Sequence, residues 1–409
     1  MAEIINAADL FCGGGGTSNG LYDACYELGY HLDLVAVNHW HIALKTHREN
    51  HPEARHIWAD LSSLNPREVI KGKKLNLLIA SPECIYHSNA RGGKPIKEQL
   101  RASAWCVLRW AEALLPDDIL IENVQEFRKW GPVGFDNKPI KDRGGETYEA
   151  YINALRSLGY TVEDRVLNTA DYGDPTSRER LFIMAKRGNH KQLKWPEATH
   201  TETGDELAKW VPAKQIIDWN IKGKSIFNRK RPLADATKRR IAAGLKKFCG
   251  DMAEPFLVML YGSNDARSIN RPLPTITAGG NHIGLCEPFI VIEKGKSTVR
   301  KIDKPIPTIT TQPHLYLCEP FIINYYGNSN FTEINKPLPT VTTKDRFGLV
   351  EPLKLDILFR MLQPHELAAG MSFPDNYKFF GSRADIIKQI GNAVPRRTAK
   401  ALCKTLLAA

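Results

Sequence analysis

The segment ADLFCGGGGTSNGL, Ala8 to Leu21, passes from an apolar strand through four consecutive glycines into a helix. Glycine lets the backbone approach a bound group closely, and a helix N-terminus favours anionic atoms. The segment therefore suits a nucleotide-type ligand, although a Gly-rich turn alone also serves a purely structural purpose. Its surroundings decide the fold. HLDLVAVN is the next strand and HIALKTHRENH the next helix; NLLIAS is an apolar strand, followed by the amphipathic helix EQLRASAWCVLRWAEALLP. DILIENV, ETYEAYINALRSLGY, TVEDRVLN and RERLFIMAKR then read as strand, helix, strand, strand. Alternation of this length predicts an α/β fold with a doubly wound, mostly parallel sheet.

The 409 residues are 43% hydrophobic and 25% charged, enough chain for two domains. No apolar run reaches the roughly 18 to 20 residues of a membrane span, so no membrane partner is expected. MAEIINAADLF lacks a basic region followed by an apolar one and is not read as a secretory signal. The eight cysteines are scattered without metal-ligand spacing, so no metal is expected, and free thiols point to the cytoplasm. Net charge is +11, and from Ala213 to Gly250 eleven Lys and Arg face only Asp218 and Asp235. Charge concentrated in this way fits a polyanion, nucleic acid above all, better than a merely solvated face.

Beyond residue 195 the texture changes. After the basic helix PLADATKRRIAAGLKKF, units beginning at Glu254, Glu287 and Glu319 repeat at offsets of 33 and 32 residues, and a fourth starts at Glu351 but stops after Pro352. Each holds an apolar strand, a polar turn, a Pro-x-Pro-Thr corner and a Thr-rich β stretch, which predicts a hairpin-like unit repeated three times. LKLDILFRMLQPHELAAGMSFP reads as a helix, and QIGNAVPRRTAKALCKTLL as a Gly-Asn turn entering a helix.

Three further features carry chemistry. Cys84 follows a strand end and opens a polar loop with Arg91, Lys94 and Lys97, cations that would favour the thiolate. Glu122 ends an apolar strand, where such folds bind ligands, although a salt-bridged acid is the plainer alternative. Arg178 and Arg180 alternate at a strand head and share one face, a pair suited to a bidentate acceptor or phosphate.

In order and spacing these motifs resemble those of the cytosine-5 DNA methyltransferase family. DLFCGGGG resembles its S-adenosylmethionine loop, SPEC stands where the family has Pro-Cys-Gln, and ENV is similar to its glutamate motif. TSRER resembles Gln-x-Arg-x-Arg, while LFRMLQPHELAAGMSFPDNY and IGNAVP resemble its final segments. The resemblance runs from Asp9 to Pro395 and implies the S-adenosylmethionine methyltransferase fold with a smaller β-rich target-recognition domain. Expected domains are 1–195 catalytic, 196–375 target recognition with the three repeats, and 376–409 returning to the catalytic domain.

The resemblance further implies Cys84 as the nucleophile at cytosine C6, Glu122 at ring N3, and Arg180, supported by Arg178, at O2, with the target base flipped out of the duplex. S-adenosylmethionine is the implied methyl donor. Asp9, Phe11, Gly13, Gly15, Gly16, Asp60, Leu61, Pro82, Asn392 and Ala393 would line its site. Asn38 stands where the family has a ribose-binding Glu, so His39 or Trp40 would share that task. Thr176 replaces the usual Gln, and Glu83 and Ile85 flank the cysteine where Pro and Gln are usual; Glu83 would raise the thiol pKa unless the loop cations offset it. Double-stranded DNA is the expected partner, with contacts at Ser88, Arg91, Lys230, Arg231, Arg239, Arg240 and the corner threonines Thr275, Thr308 and Thr340. A monomer is expected, with a cognate restriction endonuclease as a candidate partner. The alternatives are an RNA or tRNA cytosine methyltransferase and a catalytically weak DNA-binding relative.

Overall fold

A computed structural model describes residues 2–82, 103–135, 139–190, 192–227, 229–235, 237–238, 241, 256–259, 266–278, 282–292, 298–300, 321–324, 331–333, 347–350 and 356–408. Its contacts divide the chain into two units. One holds Met1–Ile217, Asn270–Asn281 and Gln363–Ala409; the other holds Asp218–Ile269 and His282–Leu362. The first unit thus runs past residue 195 and takes back a short piece of the first repeat, because Leu273–Pro274 pairs in parallel with Thr176–Ser177.

In the first unit, strands β1 (Ile4–Leu10), β2 (His31–Asn38), β3 (Arg55–Trp58), β4 (Leu77–Ala80), β5 (Asp118–Asn123) and β6 (Tyr160–Asn168) alternate with helices α1 (Gly16–Leu28), α2 (His41–Asn50), α3 (Pro66–Ile70), α4 (Ser103–Leu114) and α5 (Glu146–Ser157). Then come β7 (Thr176–Ser177) and β8 (Glu179–Arg187). The sheet order is β3-β2-β1-β4-β5-β8-β6. β1 to β5 run parallel, while β8 runs antiparallel to both its neighbours. The chain winds outward from β1 to β3 and returns at β4, so the switch point lies between the ends of β1 and β4, where open α/β sheets bind ligands.

Alternating side chains of each strand feed two cores. On one face Ala8, Leu10, Leu78 and Ile121 pack with Val107, Trp110 and Tyr151 of α4 and α5. On the other, Ile5, Ala7, Leu77 and Ile79 pack with Leu21 and Cys25 of α1 and with Leu402, Cys403 and Leu406 of the last helix, Arg396–Leu407. This last helix carries its own cap from a distance. Buried Asp174 accepts from Arg397 N and from Thr398 N and Oγ1, at 3.2, 3.0 and 2.6 Å.

Two sequence expectations are corrected. Gly391 and Asn392 are not a turn. They end the helix Arg383–Asn392, which a capping box between Ser382 and Asp385 starts. The segment read as one helix from Leu353 contains the strand Asp356–Met361, and its helix is only Pro364–Gly370, opened by Pro364 and a Gln363–Glu366 capping box. The strand β3 has no counterpart in the sequence reading, and the basic helix lies mostly outside the described residues.

The second unit is antiparallel. Lys224–Ser225, Asp356–Met361, Ile283–Ile292, Phe256–Met259 and Ala266–Ser268 form one sheet in that order, over a core of Ile241, Phe256, Val258, Cys286, Ile357 and Phe359. The repeats share a pairing register. Leu257 faces Arg267, Ile290 faces Arg300 and Ile322 faces Thr332, equivalent positions of the three units.

Candidate active site

The β1 end is shaped by close approach. Phe11 adopts φ 62 although it is not glycine, a backbone cost of about 1 kcal/mol or more held in place by its surroundings. Gly15, at φ 94, begins the N-terminus of α1, and Tyr377 Oη donates to the Gly14 carbonyl at 2.5 Å. A Cβ on Gly16 would stand 2.6 Å from the Val394 carbonyl and 2.7 Å from the Ala393 Cβ, so the first and last motifs fit together only because this residue has no side chain. Asn392 is exposed at that junction.

Along the rim, Asn38 Oδ1 accepts from Trp40 N at 2.8 Å, so the residue in the expected ribose position also shapes the turn. Lys388 Nζ lies 4.5 Å from the Trp40 ring centroid. Exposed Trp58, which the sequence reading missed, donates to the His39 carbonyl at 2.9 Å and packs against His41. Asp60 accepts from Ser62 N and Oγ at 2.8 and 2.7 Å, and these bonds hold its carboxyl below the usual range. Leu61 is buried behind it. Gly13 carries open space on its Cβ side, with nothing nearer than the Phe11 carbonyl at 3.9 Å.

Across the switch point, β4 delivers Pro82 beside the end of β5, where Asn123 Nδ2 donates to the Pro82 carbonyl at 3.4 Å. Glu122 is buried at this lip. Its Oε1 lies 3.3 Å from Arg180 Nε and 4.0 Å from Arg178 Nη2. The reversed direction of β8 brings these arginines there, since its start lies beside the end of β5. Arg178 is 3% exposed; its Nη1 donates to the Ile276 carbonyl at 3.2 Å and its main chain pairs with Thr169. Buried Thr176 donates to the Pro274 carbonyl at 3.2 Å. The Pro-Thr corner around Thr275 is therefore bound to the arginine strand, an arrangement linking positions 98 apart and not visible in the sequence.

Glu122 and its two arginines thus stand together at the lip of the sheet, across the switch point from the Gly-rich turn. The family model of C-5 cytosine-specific DNA methylases matches residues 5–408. The chain belongs to this family.

Two proteins similar to this chain are Type II methyltransferases. M1.BsuMI of Bacillus subtilis is 28% identical over 58% of this chain and 55% of that protein. M.AquIA of a Picosynechococcus strain is 29% identical over 47% of this chain and 75% of that protein. The aligned stretch thus spans about half of the first relative. Among solved structures, the Entamoeba histolytica methyltransferase EhMeth shares the fold, with a TM-score of 0.55 and 15% identity over 99% of this chain and 98% of that one. Cys84 with Glu83 and Ile85, the expected contacts Ser88, Arg91, Arg239 and Arg240, and the corners Thr308 and Thr340 lie outside the described residues. Lys230 and Arg231 are exposed in the second unit. Among the described residues no helix is long and apolar enough to cross a membrane, and no cluster is placed to hold a metal ion.

Proposed function

We propose that the chain is a DNA cytosine-5 methyltransferase, acting on a flipped cytosine in duplex DNA. The observation that carries this is Glu122 between Arg180 and Arg178 at the end of β5, beside Pro82. S-adenosylmethionine supplies an activated methyl group when bound. The residues present fit it: Gly13 leaves open space in the turn, the N-terminus of α1 faces that turn, and Asp60 offers an exposed carboxylate at the rim. Trp40 and Asn38 flank the ribose position.

Cytosine C5 is a poor nucleophile. Addition of the Cys84 thiolate to C6 makes C5 an enamine carbon able to accept the methyl group, and transfer of the C5 proton to a water acting as base then expels the thiolate. Glu122 holds a proton at ring N3, drawing charge from the ring as the adduct forms, while Arg180 holds O2 and Arg178 fixes Glu122. In water such contacts would be weak; in a buried site they are strengthened.

The second unit, with its repeats, serves as the target-recognition domain, and the segments on either side of it form the catalytic domain. Support comes from the basic stretch and from strand pairs that share one register in the three units. The protein works as a cytoplasmic monomer, with a restriction endonuclease of the same target as its candidate partner. The test is incubation with labelled S-adenosylmethionine and duplex DNA. Label enters DNA cytosine, and Cys84→Ala abolishes transfer while donor binding survives. Label in tRNA alone, or in neither, overturns the reading.

A further inference from the structure

Beneath the glycine turn runs a hydrogen-bond chain that the proposed reaction does not use. Ser18 Oγ lies 2.6 Å from Asp9 Oδ2, His47 Nε2 lies 2.9 Å from Ser18 Oγ, and His47 Nδ1 lies 2.8 Å from His56 Nε2. Asp9, Ser18 and His47 are fully buried, whereas His56 is half-buried at the edge of the sheet. Among the described residues no cation forms a salt bridge with Asp9.

Other polar groups surround the chain. Cys12, Tyr377 and Cys403 face Asp9. His51 packs on His47 at 4.8 Å and stacks on Tyr22, with Glu53 and Arg396 beyond it; Arg48 and Glu53 face His56.

The chain has two consistent polarities. With Asp9 charged, Ser18 donates to it, His47 Nε2–H donates to Ser18, and His56 Nε2–H donates to His47 Nδ1. With Asp9 protonated every bond reverses. Passing between them moves one proton: Asp9 gives its proton to Ser18, Ser18 to His47 Nε2, His47 Nδ1 to His56 Nε2, and His56 Nδ1 releases one to water. No atom is left over.

We propose that Ser18, His47 and His56 are positioning residues for the methyl donor, which let Asp9 discharge its proton when a sulfonium occupies the turn, so that S-adenosylmethionine binds with proton release and its uncharged-sulfur product does not. This rests on the methyltransferase reading. A cation brought to the turn favours the charged form of a buried carboxylate, and the loss of that charge on methyl transfer favours reprotonation. Burial supports the assignment: it pushes Asp9 up to about 7, with the Ser18 bond opposing it, while it lowers His51 to about 4 and His47 well below its ordinary value. Near neutrality Asp9 therefore changes charge while His47 and His51 stay neutral.

Calorimetric titration of the full chain at pH 7, in buffers of different ionisation enthalpy, tests this. S-adenosylmethionine should release a sizeable fraction of a proton and S-adenosylhomocysteine much less, with donor affinity rising through pH 7 by at most about tenfold per unit. Asp9→Asn should remove the release, and Ser18→Ala or His47→Leu should shift its pH midpoint. Equal release with both ligands, release that persists in Asp9→Asn, or a midpoint unmoved by both relay substitutions overturns the inference. If neither ligand binds, the methyltransferase reading itself falls.

Discussion

Asp9 and Glu122 close strands of the same sheet on either side of the crevice, in opposite electrostatic surroundings. Glu122 faces two arginines. Asp9 meets a hydroxyl and, behind it, neutral imidazoles. Two guanidiniums fix the position of Glu122, whereas a carboxylate served only by rotatable and tautomeric groups can change state at low cost. The acceptor side is built to orient its carboxyl group and the donor side to exchange a proton.

The sharpest way to break this contrast is Arg180→Ala, which strips Glu122 of its nearer cation. Methyl transfer should fall about 10²–10³-fold, the scale for losing one electrostatic contact in an active site, with donor affinity unchanged. Single-turnover rates and donor titration separate the two, and an equal loss in both would erase the distinction. Next in size is Gly16→Val, which drives a side chain into Val394 and Ala393 and should cost about 1–3 kcal/mol in denaturant unfolding, with donor binding weakened in step.

The pH dependence of stability sharpens the comparison. Because Asp9 in the folded chain is raised from 3.8 to about 7, folding favours its protonated form. The stability it contributes is complete below pH 3.8 and is withdrawn as pH rises through about 7. Urea midpoints of the wild type should therefore decline between pH 5 and 8 relative to Asp9→Asn; parallel curves would count against a titrating Asp9. The smallest effect belongs to Glu27, which bridges Lys400 and Lys404 at 2.7 and 2.8 Å on the surface and is lowered to about 2 by those bonds. Glu27→Gln should cost less than about 1 kcal/mol at neutral pH. That contribution is present above the ordinary carboxylate range and lost as pH falls through about 2, which thermal melts in acid would follow.

The central sheet was legible because its strands are short apolar runs buried on both faces, as in LLIA and DILIEN. Glu122, Arg178 and Arg180 were legible because they break such runs at their ends. Ser18, His47 and His56 were not: they lie on separate elements, and only the packing of α1 and α2 beside β3 brings them into line. Gly391-Asn392 misled because the dipeptide suits a turn, while the better signal, Ser382 with Asp385 three residues on, stood ten residues upstream. The role of Pro274 and Ile276 beside the arginines depends on pairing across nearly a hundred residues, which no local pattern carries.

The seating of the last helix on α1 has a consequence for synthesis. A ribosome makes β1 and α1 long before the residues that cover them, from Val394 to Leu406. Asp23 waits 373 positions for Arg396. While the intervening residues are made the apolar side of α1 stands uncovered, and the glycine turn is unbraced until Tyr377, Ala393 and Val394 emerge. A nascent chain of this protein carries α1 unfinished long after it is made, and a stop codon before Arg396 leaves its apolar side uncovered.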